Sequence, residues 1–393
     1  MSSLMMTWLG QRSTLLVYLP IGMIFWITMS VAQSFWLLIL SRIIQGVVIG
    51  VSAGCANNYV VETVHQNVRG RLFALIDMSR QVGFLFMYVV GSSQLSWRNV
   101  GLICGLVSMA LPFLGMIFLP HSPRWLATHG RKEEARKALV FFRGENYDVD
   151  SELNDIQVQL DRTANGAKVW DQLKMLTERS IVIRFIILAV LLFASHFTGN
   201  FALIAYSVSI FESANVEMNP YLCTIIVACV RILGVAIYMT IADKFGRRPL
   251  LMIPLFLSGI AMVALGLFFF VQAYTGDTSY IAWLPLTSVI FYVLFTMMSH
   301  PVLMLLRSEL LPTSVRAVGV GLLYLSFFCG SFGVSLSYPY MVDSVGSHWT
   351  FWLYGATSFM MVFITAVSIP ETQGKSLEDI GDLFAKKKGK SQA

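Results

Sequence analysis

Ten apolar stretches leave this chain few ways to fold: near 14–33, 36–60, 72–93, 99–119, 182–211, 221–242, 250–272, 282–306, 315–341 and 349–369. About 20 helical residues cross the hydrocarbon core of a bilayer. With no water in that core, every backbone N–H and C=O must be satisfied internally, which makes runs of this length helices. The first stretch is too long for a cleavable leader and has further spans behind it. The predicted class is therefore an all-α polytopic membrane protein of ten spans. Composition agrees: 56% of the 393 residues are hydrophobic and 13% charged, against about 25% charged in soluble domains. An ordinary soluble enzyme and a disordered chain are both excluded.

The basic residues orient the spans. Arg42, Arg80, Arg231 and Arg307 lie within or at the ends of apolar stretches, and Arg98 is the one basic residue in the connections on one side. All other Lys and Arg fall on the opposite face, with the polar segment 121–181 and both termini. Basic loops stay inside, so that face is predicted to be cytoplasmic and the protein multi-pass, in the plasma membrane. The net charge of +6 includes a tail cluster, Lys386, Lys387, Lys388 and Lys390. That cluster suits an anionic lipid surface better than nucleic acid. The five cysteines, Cys55, Cys104, Cys223, Cys229 and Cys329, sit in apolar stretches at neither metal nor disulfide-framework spacing, and read as small buried hydrophobes. No phosphate-binding G-x-x-x-x-G-K-[ST], H-E-x-x-H or G-x-S-x-G occurs. The sequence thus calls for no ATP, metal, cofactor or enzyme activity.

The two groups of spans echo each other. Glu62 and Arg69 follow the second span seven apart, as Glu309 and Arg316 follow the eighth. Gly10-Gln11-Arg12 precedes the first span and Gly246-Arg247-Arg248 the seventh; Pro120-His121-Ser122 follows the fourth and Pro370-Glu371-Thr372 the tenth. Repeated halves are a common plan of secondary transporters, with the substrate held near the bilayer midplane. The expected division is 1–120 (first half), 121–181 (cytoplasmic helical linker), 182–370 (six-helix second half) and 371–393 (basic tail). If each half has six spans, the first two are lacking and residues 1–9 are the tail of the second.

These signatures make the chain similar to the sugar-porter family of the major facilitator superfamily. Asp243-Lys244-Phe245-Gly246-Arg247-Arg248 resembles the family's D-x-x-G-R-R, and Pro120 to Leu126 its P-E-S-P-R-W-L, with His121 in place of Glu. Pro370 to Leu377 resembles P-E-T-K-G-x-x-L. Ser41-Arg42 with Gly46 and Gly50 fits G-R-x-x-x-G-x-x-x-G, and Thr198-Gly199 through Tyr206-Ser207 fits the seventh-helix signature. Within the family, the run at 222–227 looks most like facilitated trehalose and glucose transporters of invertebrates.

The resemblance implies the major facilitator fold, the third to twelfth helices of twelve, and facilitative transport of a sugar by alternating access. It implies a cytoplasmic gate of Glu62, Arg69, Asp243, Arg247, Arg248, Glu309 and Arg316, whose opposite charges pair on closing. The alternative that these charges serve positive-inside topology alone stands beside it. Thr7 replaces the family's loop Asp and Gln11 an Arg, which weakens the first half of that gate.

The pocket positions depart further. Ser195 and His196 stand where the family carries two Gln; Asn200 is displaced by one place and followed by Phe201. Asp77 takes a Gln position, Arg231 an Asn position, Met304 that of a Trp and Thr296 that of a Glu. Asp77 and Arg231 either contact substrate or are paired structurally, together or Asp77 with Arg80, since charge at mid-membrane depth is costly. His196 reads as a pH-sensitive group or a neutral donor, and His300 beside Pro301 as a helix kink. Two functions remain open: transport of a sugar, with proton coupling undecided, or a non-transporting relative that senses solute or modulates a full-length partner.

Overall fold

The computed structural model describes residues 2–64, 66–144, 147–163, 174–176, 178–242, 244–276, 278–311 and 315–371, with the side chains of 2–4, 66–71, 73, 74, 159–163, 179, 180, 308, 309, 316 and 317 outside the description. Among the described residues all regular structure is helical. Two compact units divide the chain, Met1–Gly166 and Ala167–Ala393.

The first unit holds α1 (Ser2–Val31), α2 (Phe35–Thr63), α3 (Gln66–Gly91) and α4 (Trp97–Phe118), then three shorter helices, α5 (Pro123–Thr128), α6 (Lys132–Arg143) and α7 (Val149–Thr163). Helix α1 packs on α2 and α4 through Leu15, Leu19, Val48, Val51, Cys55, Tyr59, Met109 and Met116. At Gly10 its backbone turns to φ 76°, so the segment is two helices in line. A side chain there is doubly excluded. The φ lies in the left-handed region, and a Cβ would stand 2.9 Å from the Trp125 ring. The short helices show a charged outer face over a core of Leu126, Ala127, Ala135 and Ala138.

The second unit runs α8 (Arg179–Ala194), a 3₁₀ turn (Ser195–Thr198), α9 (Asn200–Ser213), α10 (Pro220–Ile241), α11 (Arg247–Thr275), α12 (Leu284–Leu310), α13 (Arg316–Val345) and α14 (Ser347–Ser368). Helix α11 packs against α12 and α14, α10 against α12, and α8 against α13. Phe332 and Phe363 are 69% and 68% exposed on its outer surface. Large side chains turned outward with Leu and Val around them identify lipid as the solvent.

Among the described residues nine helical segments are long and apolar enough to cross a membrane. The predicted third span, 72–93, forms as helix α3, 26 residues long, although the side chains at its start lie outside the description. The predicted fifth span, 182–211, is not one continuous helix: it breaks at the 3₁₀ turn and Gly199, whose φ is 99°, and again at Tyr206.

Candidate functional site

The break at Gly199 gathers polar groups inside the second unit. A Cβ at this glycine would meet Tyr354 at 2.7 Å and Met262 at 2.9 Å. Helices α11 and α14 therefore approach the chain here as closely as atoms allow. Thr198 donates its hydroxyl to the Ser195 carbonyl at 2.8 Å and shares a hydrogen bond with the Tyr292 hydroxyl at 3.2 Å. Arg231 of α10 is buried and donates to the Asn200 side-chain oxygen at 3.3 Å. Next to this network lies a cavity of about 20 Å³, lined by polar Ser195, Thr198, Asn200, Thr296, Ser299 and His300 and by apolar Leu251, Leu255, Leu303 and Met361. That volume suits one water, and the hydroxyls and amide give such a molecule the partners it needs.

Of the sequence candidates, Ser195 and Asn200 line the cavity and Arg231 reaches it through Asn200. His196 and Phe201 lie together behind it, with ring centroids 4.7 Å apart, and Phe327 packs on the imidazole at 4.2 Å. His196 is 1% exposed, and neither ring nitrogen has a hydrogen-bond partner among the described residues. Met304 packs beside the Leu303 and Leu306 cluster and is not among the cavity's walls. Asp77 belongs to the other unit and pairs with Arg80 at 3.0 Å, three residues on along α3. Sequence reasoning missed Thr198, Ser299 and Tyr292. The hydroxyls flanking Gly199 in an apolar run were the available signal for the first.

The charged ends of the helices form a second locus, repeated in each unit. In the first, Arg12 donates to the carbonyls of Met116 at 3.2 Å and Ile117 at 3.0 Å. Gln11 donates to Glu62 at 2.9 Å, Ser122 also donates to Glu62, and Tyr59 donates to the Pro120 carbonyl at 2.7 Å. Arg143 of α6 reaches the Thr63 carbonyl at the end of α2 at 2.8 Å and forks onto Glu152 at 2.9 and 2.7 Å. In the second unit, Arg248 donates to the Ala366 carbonyl and Arg247 to the Ala242 carbonyl at 2.7 Å. Glu371 accepts the backbone N–H groups of Arg247 at 2.8 Å and Arg248 at 3.1 Å, closing the N-terminus of α11.

Glu62, Arg247 and Arg248 of the predicted gate are thus engaged, in bonds to amide, hydroxyl and backbone groups. Gln11 holds Glu62 in place, so its substitution for an Arg leaves this contact intact. Asp243 lies outside the described residues, as do the side chains of Arg69, Glu309 and Arg316.

A family described as sugar (and other) transporter matches residues 1–384. The facilitated trehalose transporter Tret1 of Drosophila virilis is 33% identical over 378 residues, covering 95% of this chain and 41% of its own length. Its counterpart in Culex quinquefasciatus is 32% identical over 378 residues, covering 95% of this chain and 72% of its own. The chain spans less than half the length of the Drosophila protein. The inward-open xylose transporter XylE from E. coli has the same fold, with a TM-score of 0.78 at 22% identity over 97% of this chain and 84% of that one.

Proposed function

Because the chain belongs to the sugar (and other) transporter family and has its all-helical major facilitator fold, we propose that it carries a sugar, a hexose or trehalose, across a membrane by alternating access. The observation that carries this reading is the broken helix at Gly199, which puts Ser195, Thr198 and Asn200 beside a cavity in an otherwise apolar unit. Broken helices serve transporters because backbone and hydroxyl groups freed from the helix can bind cargo where no water competes. A sugar offers alternating donors and acceptors, and amide and hydroxyl side chains answer both.

In this reading Ser195, Asn200 and Arg231 hold the substrate in a state of the cycle where the one-water cavity has widened, with His196, Phe201 and Met304 shaping the surrounding wall. Asp77 serves α3 through its pair with Arg80. Ten spans cross the bilayer, the tenth being α3. The basic connections and both termini face the cytoplasm, the membrane is the plasma membrane, and lipid is the standing partner. The parts of the chain follow the expected division at 120, 181 and 370.

Reconstitution of the full chain in liposomes tests the proposal, with labelled trehalose, glucose and xylose as probes. Uptake above protein-free liposomes, lowered at least tenfold by Asn200→Leu, is the expected result. No uptake of any of the three, from protein whose thermal unfolding is cooperative, overturns it. Asp77→Asn, if it alters selectivity, overturns the assignment of Asp77 to α3.

A further inference from the structure

The repeat places the same joint at the charged end of each unit, and one residue departs from it. Arg12 and Arg248 are equivalent, as are Met116 and Ala366, and both arginines bond the helix carbonyl four residues before the repeated proline. Gly10 and Gly246 are equivalent too. In the second unit a Cβ at Gly246 would collide with the Glu371 carboxylate, which accepts two backbone N–H groups there. In the first unit the residue after the proline is His121, and a Cβ at Gly10 would lie 3.3 Å from its Nδ1. The seat a carboxylate fills in one unit is filled by an imidazole in the other.

We propose that His121 makes the first unit's joint proton-sensitive: the joint is closed while the imidazole is neutral and loosens when it gains a proton. The ring stacks on Trp125 at 5.0 Å, with planes 23° apart, and Trp125 in turn donates its indole N–H to the Thr7 carbonyl at 3.3 Å. Nδ1 is buried and has no hydrogen-bond partner among the described residues. A proton on the ring would add a cation to a seat that is already positive. Arg12 on α1 and Arg131 before α6 face it, and Glu134 of α6 opposes them while bound to Arg131 at 2.7 Å. Just after α5, exposed His129 lies against Trp125 at 4.3 Å, while Glu62, bonded to Ser122, feels the charge of Arg124. Burial first, then Arg12 and Arg131, hold the imidazole below its ordinary value.

The sign follows. An imidazole whose pKa is lower in the folded state leaves the unfolded chain binding more protons, so stability rises with pH across that interval. The joint is therefore firm at neutral pH and weakens as pH falls from about 6.5 through the lowered value. Glu371 fills the equivalent seat of the second unit as an acceptor of two backbone N–H groups, so the imidazole belongs to the first unit's joint alone.

The test uses the full chain in lipid nanodiscs and needs no substrate. Thermal midpoints are compared at about pH 7.5 and about pH 5.5, a range that spans ordinary imidazole titration. The parent's midpoint falls by several degrees more than that of His121→Gln or His121→Glu, while His129→Gln keeps the parent's slope. The reciprocal Glu371→His variant acquires an added fall of its own. Hydrogen exchange on the parent itself removes dependence on any variant folding: after correction for the intrinsic rate, protection around Gln11 and Ser122 drops at the lower pH. A His121→Gln variant with the parent's full slope, or unchanged protection at these segments, overturns the proposal.

Discussion

Substituting Gly199 by Ala is expected to destabilise the second unit strongly, although it adds a single methyl group. Two costs combine. Residue 199 has φ 99°, where an L side chain costs roughly 1–2 kcal/mol. Its Cβ would also stand 2.7 Å from Tyr354 and 2.9 Å from Met262. Both neighbours are fully buried in the core against Phe351 and Leu265, so neither has space to retreat. Overpacking of this kind costs about 1–3 kcal/mol, which brings the total to about 2–5 kcal/mol. For a unit of this size each kcal/mol moves the midpoint by about 2–4 °C, so a fall of at least about 4 °C is expected. Differential scanning fluorimetry of the full chain in detergent measures it. Gly333→Ala is the control. That glycine is helical, and its Cβ would meet Phe197 alone, at 3.9 Å. The control midpoint should stay or rise slightly, because Ala is the better helix former. A Gly199→Ala midpoint within about 1 °C of the parent refutes the reasoning, since neither strain nor overpacking would then be present at the break.

Arg143→Ala should lower the midpoint by several degrees and raise hydrogen exchange in α7. It removes a nearly buried fork onto Glu152 and the donor that closes α2 at Thr63, and hydrogen bonds to charged groups are worth about 1.5–3 kcal/mol. Arg143→Lys should recover little, because one ammonium cannot serve three acceptors held in a fork. Asp150 is held below the usual carboxylate range by the hydrogen bond from Arg136, and both groups are exposed. Its folded value is depressed, so its support for the α6–α7 contact is present above about pH 4 and is lost below it. Intrinsic-rate-corrected exchange in Val149–Thr163 should be flat near neutrality and rise in that acid range, and Asp150→Asn should remove the rise.

Helix positions were legible because hydrophobic runs report the solvent directly, and lipid leaves no alternative to the helix. The breaks were not legible in the same way. Hydropathy is blind to φ, so 182–211 reads as one unbroken helix until Gly199 takes its left-handed conformation. The turn at Gly10 falls where the expected tail 1–9 ends and Gly10-Gln11-Arg12 stands ahead of the next span. Site residues divided along a similar line. Asn200 and Arg231 stood out as polar residues in apolar stretches, and they do meet. Tyr292 and Ser299 passed as ordinary members of α12, because only the fold aims them at the break. Asp77 was ambiguous in sequence, where Arg80 and Arg231 were equal candidates as its partner. The i, i+3 spacing already allowed Asp77 and Arg80 to meet, and the 3.0 Å distance shows that they do.

The arginines at the helix ends change what the gate signatures mean physically. Opposite formal charges in the sequence suggest guanidinium–carboxylate pairs, yet Arg12, Arg98, Arg143, Arg247 and Arg248 all donate to backbone carbonyls near helix C-termini or in the turns that follow. A helix leaving the bilayer ends in carbonyls without intrahelical partners and carries partial negative charge. Arginine meets several such carbonyls at once, as Arg12 does at Met116 and Ile117. The carboxylates are left for the complementary task, and Glu371 takes it by closing the N-terminus of α11. Among the described residues these bonds tie one helix end to the next, and their strength depends on the axial position of one helix against the other. A small slide breaks both bonds of a fork together. Within a fork such loss is cooperative, whereas a single exposed ion pair contributes little.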